Sequence, residues 1–368
     1  MTSAQIEIQL IAALVAAACA LPGTFLILRR MAMMSDAISH TVLLGIVLMF
    51  FITGSLDSPL LIVGAALVGV LTVSLVELLN RTRLVKEDAA IGLVFPALFS
   101  VAVILISRYA GGVHLDSDAV LLGELAFAPF DRLMFLGFDL PRGLIVMGII
   151  LILNFSFILV FYKELKLATF DRGLALALGF SPVVIHYLLM TLVSVTAVGA
   201  FDFVGSVLVV AMMIGPPATA YLLTDRLERM LLYSVLIGMA GAVSGYWLAR
   251  LLDANIAGAM STTIGFFLLV TFLFSPERGM VALAIRRKQQ KSEFAQIMLV
   301  IHLLQHEGTP SAAVESNVSH LQEHLRWEPK FAQQIVQAAL EQKLLLEHNQ
   351  VLSLTEKGRN LAHSQLST

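Results

Sequence analysis

Between Ile6 and Phe274 the chain is a succession of apolar runs near twenty residues long, separated by short links that carry the charge. A helix needs about 20 apolar residues to cross a bilayer core, and inside hydrocarbon every backbone N–H and C=O must be satisfied within the protein. The expected fold is therefore an all-α polytopic membrane protein. The runs fall at about 6–28, 36–53, 59–79, 89–107, 143–162, 183–200, 203–223, 229–252 and 258–274, which predicts nine transmembrane helices. A composition of 58% hydrophobic and 14% charged residues, with a mean hydropathy of +0.86, excludes an ordinary soluble domain. The single cysteine, Cys19, lies within the first run and can form no intrachain disulfide. Met1 to Gln5 carry no charge and lack the basic start of a cleavable signal, so the first run reads as a retained helix.

Lys and Arg set the expected orientation. With the N-terminus outside, the cytosolic links hold Arg29, Arg30, Arg81, Arg83, Lys86, Lys163, Lys166, Arg172, Arg226, Arg229 and the five basic residues from Arg278 to Lys291. Only Arg108, Arg132, Arg142 and Arg250 are left outside, four against fifteen. Residues 111–142, with Gly111-Gly112, Pro129, Pro141 and several charges, predict a short amphipathic or re-entrant piece on the outer side. Gly199 to Gly205 predicts either a broken helix or a tight hairpin.

After Phe274 the composition changes, and residues 1–285 and 286–368 read as separate domains: a membrane domain, then a linker with a soluble unit. Helical periodicity over Phe294–His306, Ser311–Leu325 and Glu328–Lys343, two short apolar runs around a polar turn at 344–354, and a last helix together resemble a winged helix-turn-helix. Residues 292–368 hold eight acidic and five basic residues, a net of minus three, which argues against DNA binding because phosphate neutralisation needs a basic face. Six of the nine histidines lie in this tail. His302 and His306, and likewise His320 and His324, are four apart, a spacing that either decorates amphipathic helices or presents two imidazoles to one metal ion.

Within the membrane runs, Asp36 and His40 stand out. They are four residues apart, so on a helix they share a face with Cβ atoms about 5 to 6 Å apart, and ionisable groups at such positions mark pathways. A carboxylate and an imidazole so placed could meet one ligand together. There is no GxxxxGK[ST] loop and no HExxH, so the chain has no nucleotide-binding P-loop of its own and lacks the commonest signature of an intramembrane metalloprotease. Phe170–Gly179 and Gly215–Arg229 read as cytosolic docking surfaces or as interfacial connectors. In the second, Pro216-Pro217 is expected to end one span and restart a short helix.

Three stretches, Leu28-Arg-Arg-Met-Ala-Met-Met-Ser-Asp-Ala-Ile-Ser-His40, Ala175 to Gly179, and Gly205-Ser-Val-Leu-Val-Val-Ala-Met-Met-Ile-Gly-Pro-Pro-Ala-Thr-Ala220, resemble the permease subunit of manganese, zinc and iron(II) ABC importers, the ABC-3 family, over residues 6–285. The resemblance implies import of a divalent metal ion into the cytoplasm, with ATP hydrolysed on partner ATPase subunits, a second permease that is identical or different, and an extracytoplasmic metal-binding protein. It further implies that Asp36 and His40 meet the ion and that Pro216, Pro217, Ala218, Thr219, Ala220, Asp225 and Arg226 belong to a helix coupled to the ATPase. Glu124 is a further candidate pathway carboxylate or an interfacial glutamate. Two other readings stay open: an ion-coupled secondary transporter, which wants more buried ionisable residues, and a permease with a metal-responsive regulatory tail.

Overall fold

The computed structural model describes residues 2–54, 58, 60–109, 125–135, 137–310, 315–317, 327–348 and 351–366. Two compact units emerge, Met1–Gly279 and Met280–Thr368. The first contains α1 (Ser3–Leu28), α2 (Ala32–Thr53), α3 (Leu60–Arg81), α4 (Glu87–Tyr109), a hairpin of β1 (Arg132–Phe135) and β2 (Phe138–Pro141), α5 (Arg142–Val160), α6 (Tyr162–Phe170), α7 (Arg172–Ala177), α8 (Pro182–Leu223), α9 (Leu227–Leu252) and α10 (Ile256–Phe274). Among the described residues eight helices are long and apolar enough to cross a membrane, so the chain is an all-α polytopic membrane protein.

α1 is the central helix because its small residues admit close neighbours on every side. Ala12, Ala16, Ala18, Cys19 and Ala20 are fully buried. Close backbone approach and scattered polar bonds hold such bundles where burial gives no hydrophobic gain between helices. Asn154 of α5 donates to the Ala18 carbonyl at 2.8 Å and to Thr196 of α8 at 2.9 Å, and Thr24 of α1 donates to Ser234 of α9 at 3.2 Å. At Gly23 a Cβ would lie 2.0 Å from the Met213 carbonyl oxygen, so only glycine lets α1 meet α8 there.

The two expected spans 183–200 and 203–223 fall within the single 42-residue α8, which is interrupted at Gly205 (φ 73°, ψ 167°). Straight, it would be about 63 Å long, twice a bilayer core of about 30 Å. Contacts show that it doubles back. His186, near its start, lines a cavity with Leu28 and Arg29 at the end of α1. Asp202 lies 3.7 Å from Arg142 at the opposite end of the bundle, and Thr224 at its far terminus leads after two residues into α9, whose eighth residue is the Ser234 bonded to Thr24. The reversal at Gly205 is thus the tight hairpin rather than a broken helix in one direction.

One expectation is corrected. Pro216 and Pro217 do not end a span: both are buried inside α8, which runs on unbroken to Leu223, and Thr224–Arg226 connect directly to α9 with no separate short helix. Proline's fixed φ is close to helical, and a lost backbone bond is tolerated where neighbouring helices cover the gap. In the outer segment, the described residues from 132 to 141 form an antiparallel hairpin with Arg132 opposite Pro141, while residues 111–124 of the expected amphipathic or re-entrant piece lie outside the described residues. The Arg132 guanidinium ties the hairpin by bonding Asp139 at 2.8 Å and Glu7 at 3.2 Å.

The second unit contains α11 (Met280–His306), α12 (Pro329–Glu341), β3 (Leu345–His348), β4 (Val351–Leu354) and α13 (Glu356–Leu366). β3 and β4 pair with Leu345 opposite Leu354, the hairpin expected from the polar turn. It has its own core of Leu299, Val300, Leu303, Ile335, Leu352 and Ala362. Most of the expected second helix, Ser311–Leu325, lies outside the described residues, as do Glu124, His320 and His324.

Candidate metal pathway

α1 and α2 are joined by a three-residue turn in which Arg30 takes a left-handed conformation, φ 61°. α2 therefore starts beside the end of α1, and Asp36 and His40 sit about 6 and 12 Å along it at 1.5 Å per residue. The carboxylate and the imidazole are in contact, Oδ1 to Nε2 at 3.5 Å, with 37% and 29% of their side chains exposed. Their shared face looks past α4, where Phe95 and Phe99 stand 5.3 and 6.0 Å from the His40 ring. The opposite face of α2 is locked to α3. The Thr72 and Thr41 hydroxyls are hydrogen-bonded at 2.8 Å, and at Gly45 a Cβ would lie 2.4 Å from the Gly64 carbonyl oxygen. A rigid helix thus presents one hard oxygen donor and one imidazole nitrogen to an accessible face, and leaves the remaining coordination positions of an ion open.

Below the pair, at the Arg29 end, lies a cavity of about 500 Å³ lined by Arg29, Met34, Glu77, Arg172 and His186 among others. Arg29 reaches across it, its Nε donating to Thr169 Oγ1 of α6 at 3.1 Å. Burial first, and then the neighbouring Arg172, push this guanidinium down to about 10. Glu77 bonds Arg81 at 2.8 Å and stands 3.9 Å from His186. Neither Glu77 nor His186 was an expected site residue. Glu77 sits in a leucine-rich stretch, His186 follows 109 positions later, and only the packing of α3 against α8 brings them together.

The expected ATPase-coupling residues divide. Pro216, Pro217, Thr219 and Ala220 are buried in α8 and present no surface, and Ala218 is half-buried. Asp225 and Arg226 are exposed on the turn to α9, where Asp225 pairs with Arg278. Among the large exposed apolar side chains at this end are those of the α6–α7 segment, Phe170, Leu174, Leu176 and Leu178. In the tail, His302 and His306 are brought together with Glu315.

Comparison with known proteins agrees with this architecture. Residues 3–275 match the model of the ABC 3 transport family. The chain is 48% identical over 360 residues to the zinc transport system membrane protein TroD of Treponema pallidum, covering 98% of both chains. It is 50% identical over 283 residues to the manganese transport system membrane protein MntD of Bacillus subtilis, covering 77% of this chain and 96% of that one. A solved structure, PsaBC from Streptococcus pneumoniae in complex with Fab, superimposes with a TM-score of 0.64 at 28% identity, over 77% of this chain and 96% of that one. With a polytopic helical bundle matched over residues 3–275, this chain belongs to the ABC 3 transport family.

Proposed function

We propose that the chain is the permease subunit of an ABC importer that moves Mn²⁺, Zn²⁺ or Fe²⁺ into the cytoplasm. The observation that carries this reading is the Asp36–His40 pair, 3.5 Å apart on a membrane-spanning helix: its one oxygen and one nitrogen donor favour divalent transition metals, and two protein ligands hold an ion loosely enough to release it. The named relatives transport zinc and manganese, which fits the same donor set. The reversal at Gly205 makes nine crossings of the eight apolar helices.

Orientation follows from charge. The end bearing Arg29, Arg81 and Arg172 is the cytosolic one, and at the other end Arg132 and Arg142 are each paired with carboxylates of Glu7, Asp139, Asp131 or Asp202. On the cytosolic end, apolar Leu174, Leu176 and Leu178 are exposed on the short α6–α7 link, a surface suited to a protein contact. There α7, capped by Asp171 accepting from the Leu174 amide at 2.9 Å, receives a separate ATPase subunit. A second permease covers the open face of α2, and an extracytoplasmic binding protein delivers the ion. The tail is cytosolic and of winged-helix type.

Reconstitution tests the reading. Vesicles holding this chain with its ATPase and binding protein take up metal when ATP is supplied, and vesicles holding the chain alone do not. Uptake by the chain alone, driven by a proton gradient and indifferent to ATP, would overturn it.

A further inference from the structure

We propose that the tail holds a second metal site, built from His302, His306 and Glu315 and separate from the membrane pathway. His302 and His306 lie one turn apart near the end of α11, their rings 4.7 Å between centroids. The chain then turns back at Gly308, φ 79°, with Thr309 donating to the His306 carbonyl at 2.7 Å, and returns Glu315 over the same face. Its carboxylate stands 3.7 Å from His302 Nε2. One ligand atom from each of the three lies within 4.8 Å of the others. Two donors on one tetrahedral zinc ion at 2.0 to 2.1 Å are about 3.4 Å apart, so the three ligand atoms stand within about 1.4 Å of the separation a shared ion requires.

Glu315 is fixed in place by its neighbours. Ser316 accepts from the Leu352 amide at 2.9 Å, and Asn317 bridges Val351, so β4 anchors the segment that carries the carboxylate. His302 is only 7% exposed, against the fully buried Leu299 and Val300. Burial raises the worth of a charge partner, and a divalent ion placed between two neutral imidazoles and one carboxylate leaves a single net positive charge in a tail of net negative charge. Two nitrogens and one oxygen bind Zn²⁺ more tightly than Mn²⁺, in the usual order for such donors, with water in the open position. The spacing of the two histidines was visible in the sequence, whereas the third ligand was not.

The full chain, tag-free in detergent, decides the matter through Zn²⁺ competition with a chromophoric chelator and through the visible absorption of Co²⁺. With Asp36→Ala and His40→Ala in place to remove the pathway pair, one tight equivalent per chain is expected to remain. His306→Ala, which is half-buried and disturbs little packing, and Glu315→Gln, which keeps the shape, are each expected to weaken that equivalent by more than about tenfold, the loss seen even for an outer-shell partner. Melting in the presence of a chelator, unchanged between these variants and the parent, confirms that the tail still folds. The site is refuted if the pathway-deleted chain binds no metal, or if it binds equally well when His306→Ala and Glu315→Gln are combined. Either result would leave His302 and Glu315 as a structural ion pair.

Discussion

At the scale of single residues, the proposal that Asp36 and His40 act on one ion means that their losses should not add. Replacing either with alanine is expected to lower coupled uptake by at least about tenfold, one ligand's worth of roughly 1.4 kcal/mol, while the double variant falls little further. Uptake measured across the four combinations checks this; additive losses would mean the two residues serve separate steps. Arg29 poses a different question, because a buried guanidinium held near 10 is costly in the folded state. The sign is clear: with the folded value below the unfolded one, the cost is fully present at neutral pH and disappears only as pH rises through and above about 10. Arg29→Met is therefore expected to leave the melting temperature unchanged or higher. It should nevertheless uncouple uptake from ATP hydrolysis, since it removes the hydrogen bond to Thr169 that links the turn before α2 to α6. A lowered melting temperature with normal coupling would make Arg29 a structural residue only.

Elements carry the next set of outcomes. Gly205 holds a conformation that only glycine adopts without strain, and Gly205→Ala should cost about 1 to 3 kcal/mol, seen as a lower melting temperature of the detergent-solubilised chain; an unchanged value would show that the reversal lies elsewhere. On the cytosolic end, Leu176→Asp in α7 is expected to abolish co-purification of the ATPase. Pro217→Ala, being buried in α8, should leave it intact, and the reverse result would restore the proline segment as the docking element. Here the limits of the sequence have physical causes. The membrane helices were legible because a bilayer demands long apolar runs, and Asp36 with His40 because four residues return to one helix face. The hairpin at 132–141 was hidden because Arg132 ties it to Glu7 of α1, a long-range pairing. Pro216-Pro217 misled because proline was read by its local effect, while burial decided. Glu77 with His186, and Glu315 with His302, join residues that only the folded chain makes neighbours.

For the whole molecule, the division after Gly279 makes the final test. Everything the transport reading uses, from the Asp36–His40 pair to the Leu176 surface, lies in the first unit, whose buried apolar cluster extends from Ile8 to Ile264. The second unit closes its own core with Leu299, Leu303, Ile335 and Leu352, and a 283-residue match to MntD accounts for 96% of that relative. A chain ended at residue 285 should therefore insert, bind its ATPase and take up metal at a rate within about twofold of the full chain, a change below about 0.5 kcal/mol in barrier. Measured beside it, the full chain should bind one more equivalent of Zn²⁺ than the shortened one. Loss of uptake on truncation would mean that the tail is part of the transport machinery, and equal metal content in the two chains would remove the tail site while leaving the pathway pair untouched.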